Sequence, residues 1–273
     1  MEVLSLPYPQ LEEDMLGTIP VLTDNALART SGVRVAFTGQ KGGVSEGAFR
    51  SLNLGGHVGD DPVCVAENRR RVAEAFGVSP KALLGANQVH GTELVEVHAA
   101  DEAALVEALR SAEDGADGLV ITAPGILGLL CFADCTPIIV VAPSGSYALA
   151  HGGWRGTVGH IARKAVERLC ALEAVDPSEV NVYVGPHIRQ CCFEVGPDVA
   201  QQFADEFGAA VVSEDNRVSL AEAVKADVQA AGVDARRIID AGICTRCASD
   251  RYYSYRATEG RCGRHGALAC KGV

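Results

Sequence analysis

The chain has 273 residues, enough to bury a substantial core, and its 48% hydrophobic and 22% charged content excludes global disorder. A formal net charge of -11 repels phosphate backbones and anionic lipid, so no nucleic-acid or membrane partner is expected. Met1 to Leu11 has no basic stretch followed by an apolar core, and no apolar run could span a bilayer, so a cytoplasmic location is expected.

Residues 1–31 read as an irregular lead-in. Val33 to Thr38 alternates like a strand, and residues 40–59 are rich in Gly, Ser and Asn, as a loop is. Asp60, Asp61 and Pro62 suit a helix start, and that helix should run to Phe76 with Gly77 closing it. Its Glu67, Arg70, Arg71 and Glu74 form a solvated charged face.

The centre is dense in short apolar runs: Gly118 to Thr122, Leu127 to Phe132, Pro137 to Ala142 and Tyr147 to His151. They are apolar on both alternations, which predicts a sheet covered on both faces. Helices are expected at 157–172, 197–207 and 219–231, with strands at 180–184 and near Ile238. The reading is one mixed α/β domain over residues 1–273, with its helices outside.

Three segments place a metal-binding side chain at a strand end or in a loop: Asn87 to Gly91 (NQVHG), Ala133 to Pro137 (ADCTP) and His151 to Gly156 (HGGWRG). His90, Cys135 and His151 suit Zn²⁺, and three protein ligands would leave a fourth position open for chemistry. Spacing alone does not force these residues together, and a histidine after a strand is more often a satisfied polar residue. Three glycines around Trp154 and Arg155 permit close backbone approach. Arg155 reads equally as an anion ligand or as a surface ion-pair partner.

The ten cysteines, with no leader before them, read as reduced thiols or ligands, and Cys64, Cys131 and Cys170 as small buried hydrophobes. Adjacent Cys191 and Cys192 are awkward partners for one ion and read as packing at a strand-to-helix turn. Cys244 and Cys247 form a Cys-x-x-Cys pair with no second pair at zinc-ribbon spacing, which leaves a redox pair or packing open. Arg251 to Arg256, then Arg261, Arg264 and His265, gather cations and aromatics that could stack on a heterocycle or fork onto phosphate.

Together with Ser51 to Asp61 (SLNLGGHVGDD), Glu67 to Arg69 (ENR), Gly185 to Ile188 (GPHI) and Ser254 to Arg256 (SYR), the three ligand segments resemble the YfiH family. That family is also called the laccase-domain or multicopper polyphenol oxidoreductase family. The resemblance runs from about Val33 to Leu268. It implies a compact α/β fold with mixed sheets between helices, grouped with cysteine hydrolases. It also implies one zinc per chain held by His90, Cys135 and His151. The implied reactions are phosphorolysis of adenosine, inosine or methylthioadenosine, and deamination of adenosine. Some members are linked instead to peptidoglycan precursor editing, and the older name implies copper. The chain departs from the family pattern at Cys262, where Thr is usual, at Gly152, where Ala is usual, and at His187 to Arg189 on the pocket edge.

Seven histidines without a His-x-His pair cannot build a four-copper laccase, and the only methionines, Met1 and Met15, lie in the lead-in. Zinc is therefore favoured, with Cu²⁺ a substitute by intrinsic affinity. Arg50, Asn53, Arg155 and Arg264 are the candidate contacts for phosphate or nucleoside. Asp134 is either a general acid/base or the partner that orients a ligand histidine. The competing enzyme class is a metal-free cysteine hydrolase, with Cys135 as nucleophile and His151 or His90 as base.

Overall fold

The apolar runs pair into two six-stranded sheets in the computed structural model, which describes residues 5–272. In chain order the strands are β1 (Glu12–Leu16), β2 (Ile19–Thr23), β3 (Val33–Thr38), β4 (Leu83–Gly85), β5 (Leu94–Val97), β6 (Gly118–Ile121), β7 (Leu127–Phe132), β8 (Thr136–Val141), β9 (Tyr147–Gly152), β10 (Asn181–Val184), β11 (Ile238–Asp240) and β12 (His265–Lys271). The helices are α1 (Asn25–Ser31), α2 (Pro62–Ala75), α3 (Glu102–Glu113), α4 (Trp154–Val158), α5 (Ile161–Glu173), α6 (Pro197–Phe207) and α7 (Leu220–Ala230). One sheet runs β1-β2-β3-β12-β7-β4 and the other β11-β10-β8-β9-β6-β5. Both are mixed: β4 joins β7, β5 joins β6, and β11 joins β10 in parallel, while the other pairs are antiparallel.

The sheets pack face to face. Phe37, Leu130, Phe132 and Ala267 of the first meet Leu119, Ile139, Tyr147, Leu149 and Tyr183 of the second. The outer face of the second sheet carries Val120, Ile138, Val140 and Val182 against Ile161, Val166 and Leu169 of α5 and Val224 and Val228 of α7. The outer face of the first is covered by Val72 and Ala73 of α2 and the adjoining Phe76. Burial on both faces is the reason β6, β8, β9 and β10 read as unbroken apolar runs. Each fully buried aliphatic or aromatic side chain there contributes roughly 1.5–3 kcal/mol against exposure. No described helix is long and apolar enough to cross a membrane.

Two expectations are corrected. The described part of the lead-in is not irregular: β1 and β2 form a hairpin across Gly17 and Thr18, with Gly17 at φ 59, followed by α1. Four of the five β1 residues are exposed on this sheet edge, so no apolar alternation marks the strand. The single helix expected over 157–172 is two helices. The chain breaks at Gly159 and His160, where His160 takes φ 63 and its ring bonds Asp227 at 2.7 Å and Glu206 at 3.0 Å.

Candidate metal centre

Strand register brings the ligand segments together. The chain leaves β7 in one sheet and enters β8 in the other across Ala133, Asp134 and Cys135, with Asp134 at φ 85. Pro137 pairs with His151 on β9, so Cys135 and His151 sit at the same end of neighbouring strands. Gly118 of β6 pairs with Ala150, which sets Asp117 beside His151. His90 arrives on the loop after β4. That loop is stitched to β7 by Gln88, whose side-chain amide donates to the Cys131 carbonyl and accepts from its N–H, both at 2.8 Å.

The ligating atoms of His90, Cys135 and His151 all lie within 4.8 Å of one another, and Cys135 Sγ is 3.8 Å from His90 Nε2. Asp117, fully buried, accepts the His151 Nδ1 proton at 2.7 Å. That bond fixes the tautomer and leaves His151 Nε2 as the nitrogen available to an ion. The same carboxylate accepts the backbone N–H groups of Val89, His90 and Gly91 at 3.2, 2.9 and 2.6 Å. One carboxylate therefore holds both ligand histidines. A Cβ on Gly153 would stand 2.7 Å from His90 Cδ2 and 3.6 Å from Cys135 Sγ, so only glycine lets the two ligands approach.

Burial works against charge on both Cys135 and His151, but each stabilises the other. The His151 ring brings the Cys135 thiol down to about 6, and the thiolate and Asp117 bring His151 up to about 9. Between these two values the metal-free pair favours a thiolate beside an imidazolium. Two imidazoles and a thiolate, with the third-group carboxylate behind one ring, fit zinc or another borderline divalent ion.

Two cavities meet at these residues. The larger, about 620 Å³, reaches His90, Cys135 and His151 and is lined by Arg69, Arg264, Tyr255, Arg256 and the Gly55–Gly56 turn. The smaller, about 370 Å³, shares His90, Asp134, Cys135, Ile188 and Phe193 with it and adds Trp154, Arg155 and Leu220.

The other expected site residues divide. Arg264 lines the larger cavity, with Nη1 tied to the Cys262 and Gly263 carbonyls at 2.8 and 2.9 Å. Arg155 lines the smaller one and stacks over Trp154, 4.2 Å from the ring centre, where a surface ion pair had been the alternative. Arg50 is exposed and outside both linings; Arg69, whose Nε bonds the Leu54 carbonyl at 2.9 Å, occupies the cavity wall instead. Asn53 is fully buried and its amide is engaged by Gly55, Asp60 and the Arg264 N–H, so it shapes the loop beneath Arg264 and offers nothing to a substrate.

Asp134 does not orient a ligand histidine; Asp117 does. The Asp134 carboxylate accepts Thr245 Oγ1 at 2.6 Å, Ser254 Oγ at 3.1 Å and the Arg256 N–H at 2.7 Å, and its carbonyl accepts from Ile188. It ties three distant loops to the segment carrying Cys135. Cys131 is no plain core residue, since it lines the larger cavity, whereas Cys170 is buried on α5. Cys191, Cys192, Cys244 and Cys247, read separately from the sequence, converge into a second cluster.

Residues 34–271 match the protein family described as multi-copper polyphenol oxidoreductase laccase. A purine nucleoside phosphorylase, YlmD, of Geobacillus stearothermophilus is 37% identical over 242 residues, which span 86% of this chain and 88% of that protein. An adenosine deaminase from an unknown prokaryotic organism is 33% identical over 230 residues, spanning 81% and 87%. Among solved structures, the Bacillus licheniformis hypothetical protein YfiH superposes with a TM-score of 0.85 at 27% identity, covering 94% of this chain and 98% of that one.

Proposed function

This chain belongs to the multi-copper polyphenol oxidoreductase laccase family, also called the YfiH family, and we propose that it is a zinc-dependent purine nucleoside phosphorylase that also deaminates adenosine. The observation that carries this reading is the His90, Cys135 and His151 triad at the junction of two cavities, one of them lined by arginines. Relatives named as a phosphorylase and as a deaminase support both reactions. We place the reaction in the cytoplasm, where reduced cysteines persist.

Three residues would hold the ion: His90, Cys135 and His151 Nε2. Bound there, zinc supplies Lewis acidity toward a water or a substrate oxygen. Asp117 keeps the His151 proton on Nδ1, so that ring cannot rotate away from its role. Arg69 and Arg264 offer positive charge for phosphate in an otherwise acidic protein. Tyr255 and Phe193 offer ring faces to a purine. In phosphorolysis, a phosphate oxygen bonds to C1′ as the glycosidic bond breaks, and the departing purine takes the proton that the incoming hydrogen phosphate gives up. Asp134 acts as a positioning residue in this scheme, because its oxygens already accept three donors.

The test is direct. Inosine with phosphate should give hypoxanthine and ribose 1-phosphate. Methylthioadenosine with phosphate should give adenine and methylthioribose 1-phosphate, and adenosine with water should give inosine and ammonia. The Cys135–His151 ion pair supports a second reading, a cysteine hydrolase of amide-linked cell-wall precursors. Full activity in zinc-free protein on such a precursor, with all three nucleosides untouched, would select it. Copper in the same three donors, giving oxygen uptake with a phenol, would select the oxidase that the family description names.

A further inference from the structure

Away from the His90–Cys135–His151 site, four more thiols meet. Cys191 and Cys192 lie on the loop after β10, whose Ile188 and Phe193 wall both cavities. Cys244 and Cys247 lie on the turn after β11. The parallel pairing of β10 with β11 continues into a bridge between His187 and Cys244, which sets the two segments side by side.

All four sulfurs lie within 4.8 Å of one another. Cys191 and Cys192 are 3.7 Å apart, Cys191 and Cys247 3.8 Å, and Cys192 and Cys247 3.4 Å. Four thiolates on a tetrahedral zinc, each about 2.3 Å from the ion, stand about 3.8 Å from one another. The separations present are close to that edge length. Adjacent residues can therefore share this centre, because the turn at Cys191 and Cys192 directs both side chains the same way.

The surroundings are built to hold it. Cys244 is buried and accepts the Arg189 backbone N–H at 3.5 Å. Its carbonyl accepts the Ala248 N–H at 2.9 Å, which closes the turn carrying Cys247. The Cys192 N–H bonds the Arg189 carbonyl at 2.8 Å, and the Arg217 guanidinium bonds the Cys191 carbonyl at 2.6 Å. A tetrathiolate zinc carries a net double negative charge, and the nearby Arg217 guanidinium, held on the Cys191 carbonyl, is shared with Asp215 at 2.8 Å.

We propose that Cys191, Cys192, Cys244 and Cys247 bind a second zinc ion in a closed four-thiolate site that clamps the cavity wall. Binding releases the four thiol protons to solvent, and no redox step is involved. The ion adds a covalent-strength tie between two segments that are otherwise held by the short β10–β11 pairing, the His187–Cys244 bridge and the Arg189–Asp240 ion pair. It thereby fixes Ile188 and Phe193 relative to Thr245, which bonds Asp134 beside Cys135. This site stands independently of the reaction assigned to the other.

The experiment is metal analysis of the full chain, purified with a thiol reductant and without added metal. Two zinc ions per chain are expected in the wild type. Cys135→Ser should keep one, and the double variant Cys244→Ser with Cys247→Ser should keep the other. Should the double variant fail to fold, X-ray absorption at the zinc edge of wild-type protein decides. The two sites together predict a shell dominated by sulfur, whereas the histidine site alone predicts more nitrogen than sulfur. Cobalt(II) substitution adds a check, since four thiolates give intense charge-transfer bands that one thiolate does not match. One zinc per chain, lost entirely with Cys135→Ser, overturns the proposal. A Cys192–Cys247 disulfide in the native protein, found by mass, also overturns it.

Discussion

Replacing Asp117 by Asn removes one charge and changes almost no volume, so it isolates what the carboxylate does. Oδ1 accepts from His151 Nδ1 and from the His90 N–H, while Oδ2 accepts from the Gly91 and Val89 N–H groups. An amide has one acceptor and one donor end. In either orientation its NH₂ faces two hydrogen donors, in a position with no access to water. If the NH₂ faces His151, that ring must shift its proton to Nε2, the atom needed for the metal. If it faces Gly91 and Val89, the loop carrying His90 is pushed away. Two hydrogen bonds to a charged group are lost, each worth about 1.5–3 kcal/mol, so stability should fall by roughly 3 kcal/mol or more. Metal affinity should fall about 10- to 100-fold, the usual cost of removing the group that orients a ligand histidine. Chelator competition at fixed pH measures the affinity, and urea denaturation of the metal-free protein measures the stability. Wild-type values for both would refute the role given to Asp117.

Three further outcomes follow from the same geometry. Gly153→Ala should displace His90 and weaken zinc binding by at least about tenfold, a factor equal to about 1.4 kcal/mol, with a far smaller change in Tm; unchanged affinity in the competition assay would show that the close approach does not matter. Zinc binding should release protons in a pH-dependent number: counting Cys135 and His151 alone, one proton leaves between about 6 and about 9, from His151, and two leave below about 6, so affinity falls more steeply in acid. Calorimetry in buffers of different ionisation enthalpy reads that number, and a pH-independent affinity between 5 and 8 contradicts the ion pair. Arg264→Ala should raise the phosphate KM while deamination, which uses water, is kept, and Arg264→Lys should stay impaired because it loses the fork; equal loss of both activities with zinc and fold retained would assign Arg264 to the nucleoside instead.

The sequence announced the parts of this structure that have local signatures. His90, Cys135 and His151 stand out because each is a ligand type in a short Gly- or Pro-rich turn beside an apolar run. The buried strands were legible for the same reason, since β6 and β7 are uninterrupted apolar segments with clear ends and β3 alternates. Asp117 carried no signal, being one acid before an apolar run, and its four donors lie 26 to 34 residues away. The thiol cluster failed to register because its halves are more than fifty residues apart and meet only through β10 and β11. β1 was missed because an exposed edge strand has no apolar face to display. Asn53 and Arg50 were placed by their neighbourhood in the motif, which says nothing of direction: one points into its own loop and the other into solvent.

The position of β12 has a consequence for biosynthesis. Of the six strands in its sheet it is synthesised last, yet it lies in the middle, pairing with β3 on one side and β7 on the other. Until His265 to Lys271 has emerged from the ribosome, β3 and β7 each present a bare strand edge with apolar neighbours. Contacts between Phe37 and Ala267 bridge 230 residues of chain, which makes closure a slow, late event. A nascent chain halted before β12 is therefore a candidate for chaperone capture, and ribosome-stalled chains ending before and after this strand should differ sharply in protease resistance.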